Sequence, residues 1–264
     1  MDEAALLLLA IAVLAAAAAT ASRTVRDRLQ RRREREEGAL GGALLAAAQD
    51  VELGGEWPLP RSSRLMRECL AGESDVHINR LVEAGNVFCD VLEKLGPFAV
   101  ILADVRANLK KIQSSPYRAA DEVLVRPLLG MEVEKKAHPP KRLFDKSAAT
   151  GLLWTTRFMR FWHHVCESSL QHYRSQPAAP VPFRKFIAEA YERVLLPFNG
   201  WFSERSFKLA LPAIPVEWKL GALAPSAEVF WSDCIEWHTA IEEVLGRAQK
   251  MMDELELRDD TKSL

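Results

Sequence analysis

From Ser74 onward the apolar residues of this chain recur every three or four positions almost without a break, a spacing that restricts its body to packed helices. Ile78, Leu81, Val82, Phe88, Cys89, Leu92 and Leu95 form the first stripe, with Ser74 as a candidate cap and Gly96 and Pro97 as its stop. Phe98, Ile101, Leu102, Val105, Leu109 and Ile112 form the second, closed by Ser114, Ser115 and Pro116. The spacing predicts a third helix over 121–136, a fourth over about 148–173 and a fifth over about 183–196. A sixth segment is expected around 201–211 and a last helix after Pro225. No alternating strand pattern stands out, and the one Asn-Gly pair, Asn199-Gly200, sits between helical patterns. The expected fold is an all-α domain of seven or eight helices.

The stretch before that domain has a different character. Residues 4–21 are an 18-residue run without charge, made of ten Ala, five Leu, Ile11, Val13 and Thr20. As a helix this run is roughly 27 Å long, close to the hydrocarbon thickness of a bilayer. Asp2 and Glu3 precede it, and Arg23, Arg26, Arg28, Arg31, Arg32, Arg33 and Arg35 follow it. The positive-inside rule then puts the remainder of the chain on the cytosolic side of an N-terminal anchor. A cleaved signal peptide is the rival reading, with Ala19-Thr20-Ala21 as a cleavage site, although the basic residues lie on the wrong flank for one. The expected organisation is an anchor over 1–22, a basic linker over 23–61, a helical domain over 62–252 and a short polar tail over 253–264 that frays.

Charge and motif content exclude several function classes. Lys and Arg number 35 against 36 Asp and Glu, a balance that argues against nucleic acid as a partner. The four cysteines lie far apart with no CxxC, so a zinc ribbon, a thioredoxin site and a disulfide framework are not expected; the spacing suits a reducing compartment. HExxH, GxSxG, the P-loop and GxGxxG are all missing, and the chain is not read as an enzyme. No cofactor is implied. His163 and Glu167 stand four residues apart, a spacing able to hold a metal, but no third ligand is evident along the chain and no metal site is expected.

Some polar residues lie where a purely structural helix has no need of them. At 100° per residue, Asp104, Asn108 and Lys111 fall within about 60° of one another, beside the apolar face of the second helix, with Arg106 and Lys110 on the far side. An acid, an amide and an amine on the edge of a greasy face make either a solvated ion pair or a polar recess beside an apolar slot. The fourth helix is unusually aromatic: Phe161 and Trp162 read as core, whereas Trp154 offers a flat face on which a sugar ring can pack.

Four blocks in this order resemble the glycolipid transfer protein family. Asp104, Asn108 and Lys111 follow its D-x3-N-x2-K helix; Leu128, Leu129, Glu132, Val133, Glu134 and Lys135 are similar to its EVEK stretch. Leu152, Leu153, Trp154 and Arg157 resemble LLW-x-x-R, and Ala190-Tyr191-Glu192 followed by Phe198-Asn199-Gly200-Trp201 resembles AYE…YHGW. The blocks lie within 74–213 and leave the N-terminal segments outside. The resemblance implies a two-layer helical sandwich that opens to hold one sphingolipid. It implies that Asp104 accepts the ceramide amide N–H and a sugar hydroxyl, that Asn108 and Lys111 bond the sugar, that Trp154 stacks on it and that Trp201 docks on a membrane surface. Asn199 replaces the family histidine that bonds the ceramide carbonyl; its amide still donates, with a shorter reach.

Ceramide-1-phosphate carriers of the family have Lys where Asn108 stands and Arg where Trp154 and Phe158 stand, so the uncharged set here resembles the sugar-binding branch. The implied function is transfer of a sphingolipid, specifically a glycosphingolipid, between cytosol-facing membranes. The alternatives are a sphingolipid sensor or adaptor with little transfer, and a ceramide-1-phosphate carrier.

Overall fold

The computed structural model describes residues 58–95, 99–198, 207–208, 211–216 and 224–259. Seven α-helices run through the described residues: α1 (Pro58–Glu68), α2 (Ile78–Leu95), α3 (Ala99–Gln113), α4 (Val125–Glu134), α5 (Ala148–Ser175), α6 (Phe183–Ala190) and α7 (Ala227–Glu254). A π-helical turn, Tyr191–Leu195, prolongs α6, and Leu211–Ala213 is a short 3-10 turn. The helical reading holds, with local differences. α1 begins at Pro58, inside the stretch expected to be linker, and buries Leu59, Leu65 and Met66, so the folded domain extends upstream of residue 62. A two-residue hairpin, β1 (Leu70–Ala71) with β2 (Asp75–Val76), turns at Gly72, whose φ of +50° suits a residue without Cβ. Ser74 lies in this hairpin, and α2 starts at Ile78, so Ser74 is not its cap. The third predicted helix is shortened to α4, because 121–124 form a turn and a bridge between Leu124 and His77.

The anchor and most of the linker, residues 1–57, lie outside the described residues. Among the described residues no helix is long and apolar enough to cross a membrane. The tail differs from expectation: Leu257 is buried, and the Leu143 N–H donates to the Asp259 carboxylate at 3.2 Å, so residues 255–259 pack onto the domain rather than fray.

Caps and packing fix the two longest helices. Ser147 caps α5 by accepting from the Thr150 N–H, and Ser226 caps α7 by accepting from the Val229 N–H. α1 packs on α2, α2 on α3, α3 on α5, α5 on α7 and α7 back on α1, a closed ring of helices. Inside it lies a wholly apolar cavity of about 30 Å³, lined by Leu59 of α1, Phe88 and Leu92 of α2, Trp162 and Cys166 of α5, and Phe230 and Trp237 of α7. Phe88 stacks on Trp237 with centroids 4.3 Å apart and meets Trp162 edge-on at 6.3 Å. The cysteines Cys69, Cys89, Cys166 and Cys234 are all free and buried.

Candidate functional site

The site is assembled where α3 and α5 run antiparallel in close contact. Glu132 of α4, fully buried, sets one end of the pair. Its carboxylate accepts from the Ala148 N–H at 2.7 Å, the Ala149 N–H at 3.0 Å and the Ser115 hydroxyl at 3.0 Å. These are the otherwise unpaired first amides of α5, and a carboxylate there also complements the helix dipole. Burial pushes the Glu132 carboxyl up; the His138 imidazole 3.5 Å away and these donors outweigh it, and the net shift is below the ordinary glutamate value.

Gly151 sets the spacing one turn further on. A Cβ there would stand 2.5 Å from the Asn108 carbonyl oxygen and 3.0 Å from the Lys111 Cβ. Only glycine lets the backbones approach this closely. Ala148 is tied through Glu132 to Ser115 and Gly151 meets Asn108, Lys111 and Ile112, so α5 runs back along α3 from its C-terminal end, and Trp154 lies one turn beyond Gly151. Asp104, Asn108 and Lys111 share α3, and Trp154 lies on α5, the helix packed against it.

Their environments differ. Asp104 is exposed, whereas Asn108 is 3% exposed and donates through Nδ2 to the Asp104 Oδ2 at 3.3 Å. The Lys111 ammonium lies 3.0 Å from Asp145 Oδ1 in the loop that leads into α5. Arg106, expected on the solvent side, is there and reaches the exposed Glu93 and Asp90 of α2 at 2.6 and 2.8 Å, tying α2 to α3. Asn199 and Trp201 lie outside the described residues.

Arg157 occupies a place that the sequence pattern did not disclose. Its guanidinium lies 4.7 Å from the centre of the half-buried Trp154 ring and 3.7 Å from that of Phe198, and an Nη2 proton points to the Asp259 carbonyl oxygen at 3.5 Å. Burial holds its pKa down at about 10. One face of Trp154 is thus engaged by a cation of its own chain. Thr155, fully buried, carries a hydroxyl without a hydrogen-bond partner among the described residues. The LLW-x-x-R motif contained Arg157; what hid its position is that Phe198 and Asp259 come from distant segments.

The arrangement is an exposed carboxylate, a buried amide, an ammonium and an indole beside an apolar ring of helices. This geometry suits binding an amphiphile, with hydrogen-bonding groups at the edge and no activated nucleophile among them. The sequence profile described as glycolipid transfer protein matches residues 76–223. A glycolipid transfer protein of Xenopus tropicalis is 30% identical over 171 residues, covering 61% of this chain and 80% of that protein. Human ceramide-1-phosphate transfer protein in complex with 12:0 ceramide-1-phosphate has a similar fold, with a TM-score of 0.66 at 19% identity over 77% of this chain and 99% of that one. So does the FAPP2 structure, described as selecting simple glycosphingolipids with this fold, with a TM-score of 0.60 at 23% identity over 75% and 95%. The profile match spans more than half of the chain, and the protein belongs to the glycolipid transfer protein family.

Proposed function

We propose that this protein binds a sphingolipid with its chains in the apolar slot and its head on Asp104, Asn108, Lys111 and Trp154, and moves it between cytosol-facing membranes. The observation that supports the reading is the close approach of α5 to α3 at Gly151, one turn before Trp154 and beside the apolar ring of helices. Roughly 30 methylenes on two chains cost on the order of 20 kcal/mol to expose to water, so a dry slot removes most of the barrier to leaving a bilayer. A cavity of about 30 Å³ has room for only about two waters, so lipid entry requires the ring of helices to part. No bond is made or broken in such transfer, and no catalytic residue is needed.

The head we propose is a neutral glycosylceramide. Asn108, Trp154 and Phe158 carry no charge, and an amide with an indole face suits a sugar better than a phosphate. A phosphate or sulfate head is the second reading, favoured by the buried Arg157 and by Lys111 at the same edge. The proposed tether is the apolar run 4–21, with Trp201 docking the domain on a membrane and Asn199 taking the part of the ceramide-bonding histidine.

Transfer of fluorescent glucosylceramide and of ceramide-1-phosphate between vesicles, with a chain begun one residue before α1, tests the head. Faster transfer of the neutral lipid is expected, and a clear preference for the phosphate overturns the sugar reading. Protease added to intact microsomes tests the tether: the domain is expected to be digested, and a protected, glycosylated or secreted product would identify residues 1–21 as a signal peptide.

A further inference from the structure

His163 and Glu167 stand four residues apart on α5, and His238 and Glu242 repeat that spacing on α7. The packing of the two helices stacks the His163 and His238 rings 3.8 Å apart at 19°. His164 meets His163 edge-on at 5.8 Å, and its Nδ1 lies 3.1 Å from Glu167 Oε2. One ligating atom from each of His163, His238 and Glu242 lies within 4.8 Å of the others, and the same holds for His163, His164 and Glu167. The Nε2 atoms of both stacked rings are buried, and neither has a hydrogen-bond partner among the described residues. Leaving one buried polar atom unpaired costs about 1–3 kcal/mol. Two such atoms, on facing helices and beside two carboxylates, are the donor set of an ion that prefers imidazole and carboxylate.

We propose that His163, His238 and Glu242 bind a Zn²⁺-type transition metal that ties α5 to α7, with the His164–Glu167 pair flanking it. The sequence pair His163 and Glu167 supplied only one of these ligands; the other two, His238 and Glu242, come from α7, 75 and 79 residues further along the chain. A tetrahedral zinc with bonds of 2.0–2.1 Å sets its ligands about 3.4 Å apart, so the cluster closes by up to about 1.4 Å on binding. One ring turns out of the stack as it does so, because parallel imidazoles cannot both aim in-plane at one ion. Exposed Glu242 leaves the fourth position to water. His163 follows Trp162 and His238 follows Trp237, two walls of the apolar cavity. The ion therefore pins together two of the helices that must part for the slot to widen.

The test is calorimetric titration of the chelator-stripped full chain with ZnCl₂. One Zn²⁺ per chain is expected. Losing an outer partner of a metal ligand already costs 10–100-fold in affinity, so His163→Gln and His238→Gln are each expected to weaken binding at least roughly 100-fold. His172→Gln, on the same helix but outside the cluster, is expected to leave it unchanged. Co²⁺ is expected to show the visible bands of a tetrahedral site, and Zn²⁺ to slow amide exchange in α5 and α7 of the unsubstituted chain only. Failure to take up stoichiometric metal, or uptake that survives both His163→Gln and His238→Gln, overturns the proposal. If one of these variants does not fold, as read by circular dichroism, the other and the Co²⁺ spectrum of the unsubstituted chain decide.

Discussion

The two halves of α5 are held by different kinds of force. Its first turn is fixed by directed contacts: the Ser147 cap, the buried Glu132 carboxylate on the Ala148 and Ala149 amides, and backbone-close packing on α3 at Gly151. The inner face of its later turns, with Trp162, Val165 and Cys166, lines an apolar cavity, where contact is non-directional and many arrangements of similar energy exist. The polar end can therefore keep one geometry while the apolar end rearranges. A lipid carrier uses that division, since head recognition needs fixed donors and chain accommodation needs give.

The largest effect expected is on the fixed end. Glu132→Ala leaves the Ala148 and Ala149 amides and the Ser115 hydroxyl without their acceptor in a buried place, at about 1–3 kcal/mol for each donor left unpaired. Urea unfolding checks it. The same carboxylate sets an acid limit. Its folded pKa lies below the usual 4.5, so the stability that it contributes is in place above about pH 4.5 and is lost as pH falls through the folded value. Glu132→Ala should flatten this part of the stability profile; an unchanged profile would mean that the site does not depend on this carboxylate.

Phe88→Ala applies the same test to the yielding end. Removing a ring that stacks on Trp237 costs about 3–5 kcal/mol of stability. The ratio of glycosylceramide to ceramide-1-phosphate transfer should nevertheless stay as it was, because Phe88 touches the slot and not the polar edge. A changed ratio in the vesicle assay breaks the division between the two ends.

Asp104→Val should do the reverse. Asp104 is exposed, and its loss costs stability only through the buried Asn108 amide that it leaves without an acceptor, about 1–3 kcal/mol. Hydrogen bonds to a charged group contribute about 1.5–3 kcal/mol, so transfer should fall roughly 10- to 100-fold with helicity intact. Normal transfer by the variant would remove Asp104 from the site. Gly151→Ala lies between the two cases. Its Cβ forces α3 from α5 by the Asn108 carbonyl, a strain of about 1–3 kcal/mol, with partial loss of transfer as Trp154 moves off the α3 residues.

The fold was largely legible because six of the seven helices carry an apolar stripe, and because breaks such as Gly96-Pro97, Ser115-Pro116 and Pro225 mark their limits, whereas the caps Ser147 and Ser226 emerge only from the structure. α1 was hidden for two reasons. Pro58 and Pro60 look like linker residues, although the first turn of a helix has no need of their N–H groups. Ser62 and Ser63 also interrupt the stripe although both are buried, their hydroxyls donating to the Ala84 and Leu59 carbonyls. Within the site, the grouping of Asp104, Asn108 and Lys111 could be read from helical spacing, since all three share one helix. The contact of Gly151 with Asn108 and the seat of Arg157 between Trp154 and Phe198 could not, because each joins segments that only tertiary packing brings together.

Lys111 gives the smallest expected effect and separates the two roles that spacing alone left open for it. As half of a partly exposed ion pair with Asp145, it contributes about 0.2–1 kcal/mol to stability, and Lys111→Met and Asp145→Asn should each lose no more than that. If the pair is all that Lys111 provides, the two variants transfer lipid equally well. If Lys111 bonds the head, Lys111→Met should slow transfer several-fold while Asp145→Asn leaves it unchanged or raises it, because a freed ammonium is more available to the ligand. The double variant then behaves as Lys111→Met alone. Equal transfer by all three would assign Lys111 to the frame that carries α5, and leave Asp104, Asn108 and Trp154 as the polar edge.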